Sequence, residues 1–129
     1  MQVFLLLLIL ILFNLVSGDC CNRVRAWYVT DRKNRSFDLQ DSRFGYYSIK
    51  PGTINGKPHY VSDDGEQAIW YDGNSWNVGL TDDQGTTRAG IHVNSKANCP
   101  EEPHYDWEYL NNSNDWVPAE QGFSIYCKD

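Results

Sequence analysis

Apolar and polar residues alternate in short runs along most of the chain, and no stretch keeps a helical apolar period through three turns. Gly, Asn and Asp interrupt these runs every 8 to 12 residues or so, the spacing of an antiparallel sandwich or barrel-like meander. The pattern predicts an all-β domain with strands near 22–29, 44–50, 58–62, 67–72, 76–80, 89–93, 105–110, 116–118 and 122–127. Residues 31–43 read as a charged loop holding a short helical turn. Residues 94–103 read as a second loop, with Cys99 able to pin it.

The sharpest local signal is Asp72-Gly73-Asn74-Ser75, a hairpin whose two-residue loop, Gly73-Asn74, tolerates positive φ. Its register sets Tyr71 opposite Trp76, Trp70 opposite Asn77 and Ile69 opposite Val78. Because side chains alternate, Ile69, Tyr71, Trp76 and Val78 share the core face. A four-residue loop at 63–66 adds Tyr60 to that face, opposite Ile69. It also places His59, Trp70 and Asn77 in a row on the other face. A weaker echo runs from Trp107 through Asn111-Asn112-Ser113-Asn114 to Trp116-Val117, which reads as a second, similar hairpin.

Residues 1–18 carry no charge, and Val3 to Phe13 is an unbroken apolar run. That run is shorter than the ~20 residues a spanning helix needs. With Val16 and Gly18 before a polar Asp19, the segment reads as a signal peptide cleaved ahead of Asp19. Residues 19–129 then form one secreted domain, with no membrane insertion after cleavage. Of its side chains 16 are aromatic and 14 are Val, Leu or Ile, so rings must supply much of the core. Charge is uneven: residues 19–59 sum to +4 and residues 60–129 to −10, which disfavours nucleic acid as a partner of the second half.

Four cysteines in an exported chain read as two disulfides. Adjacent Cys20 and Cys21 diverge, so they reach Cys99 and Cys127 in one of two connectivities. Strand parity, with Cys20 on the face of Val24, Ala26 and Tyr28, and Cys127 on that of Phe123 and Ile125, favours Cys20–Cys127 with Cys21–Cys99 over the swap. The sequons Asn34-Arg35-Ser36 and Asn111-Asn112-Ser113 make Asn34 and Asn111 the expected glycosylation sites.

The order Cys20-Cys21, Asn55-Gly56-Lys57-Pro58-His59-Tyr60, Ile69-Trp70-Tyr71, Trp76-Asn77-Val78-Gly79, Cys99-Pro100, Trp107, Trp116 and Cys127 resembles an extracellular module of secreted and multidomain invertebrate proteins. The resemblance covers essentially all of residues 19–129. It implies architecture and location, not an activity.

Catalytic chemistry is not visible. His59, His92 and His104 stand apart from any metal-ligand spacing, there is no Gly-x-Ser-x-Gly elbow, and the cysteines are committed to bridges. No catalytic residue, metal site or cofactor is expected. The leading expectation is a secreted, non-catalytic module that recognises an extracellular glycan or protein. Behind it stand a structural or protective matrix or mucus component, and a small hydrolase or protease inhibitor. The candidate ligand-binding row is His59, Trp70 and Asn77: a flat ring flanked by groups that donate and accept hydrogen bonds.

Overall fold

The computed structural model describes residues 20–28, 40–119 and 122–128. The expected signal segment, the cleavage before Asp19 and the sequon at Asn34 lie outside the described residues. Nine strands form among the described residues: β1 (Arg23–Tyr28), β2 (Gly45–Ile49), β3 (Tyr60–Ser62), β4 (Gln67–Tyr71), β5 (Trp76–Leu80), β6 (Ile91–Val93), β7 (Glu108–Leu110), β8 (Trp116–Pro118) and β9 (Phe123–Cys127). Each falls within one of the predicted runs. The expected helical turn is a 3-10 turn at residues 40–43, and a second one, Thr81–Asp83, follows β5 directly.

All pairings are antiparallel and belong to one sheet, in the order β8-β7-β6-β5-β4-β3-β2-β1-β9. Strands β1 to β8 form a plain meander, in which each strand pairs with the one before it in sequence. Strand β9 then adds to the free edge of β1. The predicted registers hold, with Tyr60 opposite Ile69, Ile69 opposite Val78, Trp70 opposite Asn77 and Tyr71 opposite Trp76. Of the two expected architectures, the barrel-like meander is the one adopted. The sheet curls into a half-barrel and covers its own inner face, with no second sheet among the described residues. The curl is deep enough that Trp107, beside β7, meets Phe123 of β9 edge-to-face at 4.9 Å.

The inner face carries Val24, Ala26, Tyr28, Tyr47, Tyr60, Ile69, Tyr71, Trp76, Val78, Ile91, Val93, Trp107, Tyr109, Phe123 and Ile125, all buried. Each large ring removes about 150–250 Å² from water. At ~25 cal/mol per Å², that is about 4 kcal/mol or more per ring before entropy is set against it. The rings also hold the loops, because a buried hydroxyl or indole N–H must find an acceptor. Tyr60 Oη donates to Cys21 O (2.7 Å), Tyr47 Oη to Arg43 O (2.6 Å), Tyr71 Oη to Gly73 O (2.8 Å), Trp76 Nε1 to Ala97 O (2.8 Å) and Trp107 Nε1 to Pro103 O (3.2 Å). An aromatic core thus fixes the irregular segments that an aliphatic core would leave to themselves.

The disulfides are Cys20–Cys99 and Cys21–Cys127, the swap of the pairing that strand parity favours. Parity fails because the chain bends at Cys20 and Asn22, and β1 starts only at Arg23. The inner-face alternation of Val24, Ala26 and Tyr28 therefore does not extend back to Cys20. Instead Cys21 packs against the core, while Cys127 stands opposite Val24 in the ladder. Cys20 is left to reach the 94–103 loop, which Cys99 pins as expected. The loops closed span 79 and 106 residues of sequence, and in the chain-entropy model each closure stabilises by about 4–5 kcal/mol.

Candidate functional site

The outer face carries a row of side chains that runs in register across five strands. Trp70 of β4 stands opposite Asn77 of β5, Asn77 opposite His92 of β6, His92 opposite Glu108 of β7, and Glu108 opposite Pro118 of β8. The candidate residues Trp70 and Asn77 thus lie at one end of a longer row, and its two ends differ.

At the Trp70 end the row is roofed. Trp70 and Asn77 have no exposed surface. The segment after β5 folds back over them, and Trp70 Nε1 donates to Thr86 O at 2.8 Å. Gly79 allows this approach: a Cβ there would lie 3.0 Å from the Trp70 ring and 3.1 Å from Ala89 Cα. Asn77 serves the adjoining hairpin, its Nδ2 donating to Asp72 Oδ2 (2.9 Å) and Ser75 O (3.1 Å). His59 sits just before β3, with Nδ1 3.0 Å from Gln84 Oε1 and Nε2 3.2 Å from Pro51 O. Trp70 and Asn77 of the expected platform are therefore covered and His59 is half-buried; the ring nitrogens and Asn77 Nδ2 meet the protein's own loops, while Asn77 Oδ1 is buried without a partner. The correction has a plain cause: Trp70 is too large and apolar to stay in water when the long β5–β6 loop starts beside it.

At the other end the row is open. His92 Nε2 lies 2.9 Å from Glu108 Oε1, and the indole of Trp116 lies flat on the imidazole, with centroids 3.6 Å apart and planes 7° from parallel. Trp116 keeps 36% of its surface exposed. Its ring is held against rotation from one side and presented to solvent on the other. Beside it is a concavity of about 410 Å³ lined by Arg43, Leu80, Asp83, Thr87, Arg88, Ala89, Leu110, Asn114 and Trp116. Three separate segments meet here: the 40–43 turn, the loop after β5 and the β7–β8 hairpin.

Arg43 is placed with some care. Tyr47 Oη holds its carbonyl, and burial pushes that phenol well above its usual range. Gln40 Nε2 donates to Leu110 O at 2.8 Å, fastening the turn to β7. The turn seats on Gly90, where a Cβ would fall 2.2 Å from Gln40 Oε1 and 2.3 Å from Arg43 Nε. Burial also pulls the Arg43 guanidinium below its usual range, despite the opposing pull of Tyr47 and Asp83.

A second exposed cluster lies on the outer face of β9, β1 and β2. There Arg25 rests 4.0 Å from the Trp27 ring centroid and donates to Tyr126 Oη at 3.0 Å, while Arg23 is paired with Asp63 at 2.7 Å. Both guanidinium groups of this face thus have side-chain partners through their Nη atoms, while Arg25 Nε is buried without one. A shallow hollow of about 330 Å³ lined by Gly65, Glu66, Leu80, Thr81 and Asp82 has no ring. Among the described residues, the groupings of three ligand-type side chains are disulfide sulfurs with Glu101, and a bridged sulfur is not a thiolate ligand. The expected glycosylation residue Asn111 is half-buried in the β7–β8 turn, where its Oδ1 accepts from Ser113 N (2.9 Å) and Asp115 N (3.0 Å).

No family model, curated protein or solved structure matches this chain. The site therefore has to be read from its own geometry. Sequence reasoning missed Trp116, His92, Arg43 and Arg88. The first two were within reach, since extending the Trp70–Asn77 register by one strand leads to His92. Arg43 and Arg88 come from loops, and no periodicity announces them.

Proposed function

We propose that this protein is an extracellular, non-catalytic recognition module that binds a carbohydrate at the concavity beside Trp116. The observation that carries the reading is the Trp116–His92–Glu108 arrangement at the rim of a hollow of mixed polar and apolar lining. A flat indole, immobilised before the ligand arrives, suits the apolar face of a sugar ring and loses little entropy on binding. Asp83, Asn114, Thr87 and Arg88 around it supply the mixed donors and acceptors that hydroxyls need. Two disulfides suit an oxidising, secretory environment, and among the described residues no helix is long and apolar enough to cross a membrane. Secretion through residues 1–18 and N-glycosylation belong to the same proposal.

The test is a glycan array probed with the secreted protein and with Trp116→Ala. Saturable binding to one class of oligosaccharide, lost in the variant while it still melts cooperatively as a folded protein, supports the reading. Binding that survives the substitution, or no binding anywhere on the array, removes it.

A further inference from the structure

Among the described residues, Arg43 is a half-buried cation without a carboxylate at ion-pair distance. Its guanidinium makes one long hydrogen bond there, from Nη1 to Ser42 Oγ at 3.4 Å, and its Nε is buried with no partner. Leaving a desolvated charge unpaired is costly, and an anion that arrives with its ligand relieves that cost. Arg88 lines the same concavity and is exposed. Asp83 is the one carboxylate among the described residues of the lining, so two guanidinium groups face a single negative charge there. That local excess of positive charge stands in a chain of net charge −6.

From this juxtaposition, and resting on the carbohydrate reading above, we propose that the concavity selects an acidic sugar: the ring lies on Trp116, and its carboxylate or sulfate ester is held by Arg43 and Arg88. Guanidinium groups fit planar carboxylates and sulfates through paired N–H donors, and in a partly desolvated hollow such bonds are stronger than on an open surface. The seat of the 40–43 turn on Gly90 fixes where that charge stands, so specificity resides in backbone packing as much as in the side chain.

Calorimetric titration of the intact protein tests this with four probes: oligogalacturonate, its full methyl ester, sulfated chondroitin oligosaccharide and its desulfated form. The methyl ester keeps the ring and removes the charge. We expect oligogalacturonate to bind about tenfold or more tightly than its ester, the increment of a charge-assisted bond. Sulfated chondroitin binding in its place would identify the anion as a sulfate ester. Arg88→Gln, at an exposed position, should remove most of the acidic preference, weakening oligogalacturonate binding several-fold more than binding of the neutral ester. Arg43→Lys keeps the charge but loses the fork, and should narrow the preference with no more than a small change in melting temperature. Equal affinity for the ester and the acid, with Trp116→Ala still abolishing both, overturns the acidic preference and leaves the carbohydrate site standing. Failure of every probe and of the glycan array removes both.

Discussion

The β4–β5 and β7–β8 hairpins resemble each other in sequence, yet they send their tryptophans to opposite places. In the first, Trp70 points outward and is roofed, while Trp76 points into the core. In the second, Trp107 is in the core, while Trp116 points outward and stays open. Both turns are closed in the same way by the residue that starts them. Asp72 Oδ1 accepts from Asn74 N and Ser75 N, as Asn111 Oδ1 accepts from Ser113 N and Asp115 N. The turns themselves differ in length. Four residues, Asp72 to Ser75, close the first turn, with Gly73 at φ 106°. Five residues, Asn111 to Asp115, close the second, with Asn114 at φ 63°. The face of the closing Trp follows its cross-strand partner: Trp76 stands opposite the inward Tyr71, whereas Trp116 stands opposite the outward Leu110. A motif match thus fixes the shape of a hairpin and not the face of its rings.

The largest expected contrast is between the two outward tryptophans. Trp70→Ala should destabilise by about 3–5 kcal/mol, the range for truncating a buried ring. It also releases the loop held through Thr86 O. Trp116→Ala should cost less, about 1–2 kcal/mol, because 36% of its surface already stands in water. Chemical denaturation of both variants checks this, and comparable losses would erase the distinction between roofed and open ends.

Next in size is the roof itself. Gly79→Ala places a Cβ against the Trp70 ring and the Ala89 backbone. Overpacking of this kind costs about 1–3 kcal/mol. If the loop lifts, acrylamide should quench more of the protein's indole fluorescence than in the parent. An unchanged melt and unchanged quenching would mean that the loop is not pressed onto Trp70.

The contrast between roofed and open ends also marks where local sequence patterns stop being informative. All nine strands, the Gly73-Asn74 turn and the core assignment of Tyr60, Tyr71 and Trp76 were legible from alternation and turn chemistry, which are local. The outer-face row was legible too, since Trp70 and Asn77 do pair across β4 and β5. Burial of that row was not, because it depends on a loop that returns from 16 residues downstream to accept the Trp70 N–H. The disulfide pairing was lost for a related reason: bends at Cys20 and Asn22 break the parity that the strand suggested. Arg43 reaches its place through Gly90 and Leu110, contacts of long sequence separation that no local pattern encodes.

The two turns give a smaller, graded effect. Asp72→Ala removes two backbone caps and one of the two acceptors of Asn77 Nδ2, and should cost about 2 kcal/mol. Asn111→Ala removes only two caps, and should cost about 1 kcal/mol. Thermal and urea melts of the two variants give the ordering, which matters more than either value. An Asn111 variant as damaging as the Asp72 one would mean that the longer turn is under equal demand, and the ladder of effects would collapse.

The smallest effect comes from a third turn of the same design, at β3–β4, where the capping group is Asp64. Ser62 Oγ donates to Asp64 Oδ1 at 2.6 Å and Glu66 N donates to it at 3.0 Å. These bonds favour the carboxylate, the Ser62 bond most, and hold Asp64 below its usual range. A carboxyl group depressed in the folded state binds fewer protons there than in the unfolded chain. Its stabilisation is complete above the unfolded value of about 4, and is lost as pH falls through the lower, folded value. Asn111, by contrast, makes its turn with no titrating group. Asp64→Asn should therefore keep the turn, leave the melting temperature at pH 7 nearly unchanged because the group is fully exposed, and flatten the fall in melting temperature below about pH 4. An acid limb of the same slope in parent and variant would show that the Asp64 bonds do not discriminate between protonation states, and that the three turns differ by geometry alone.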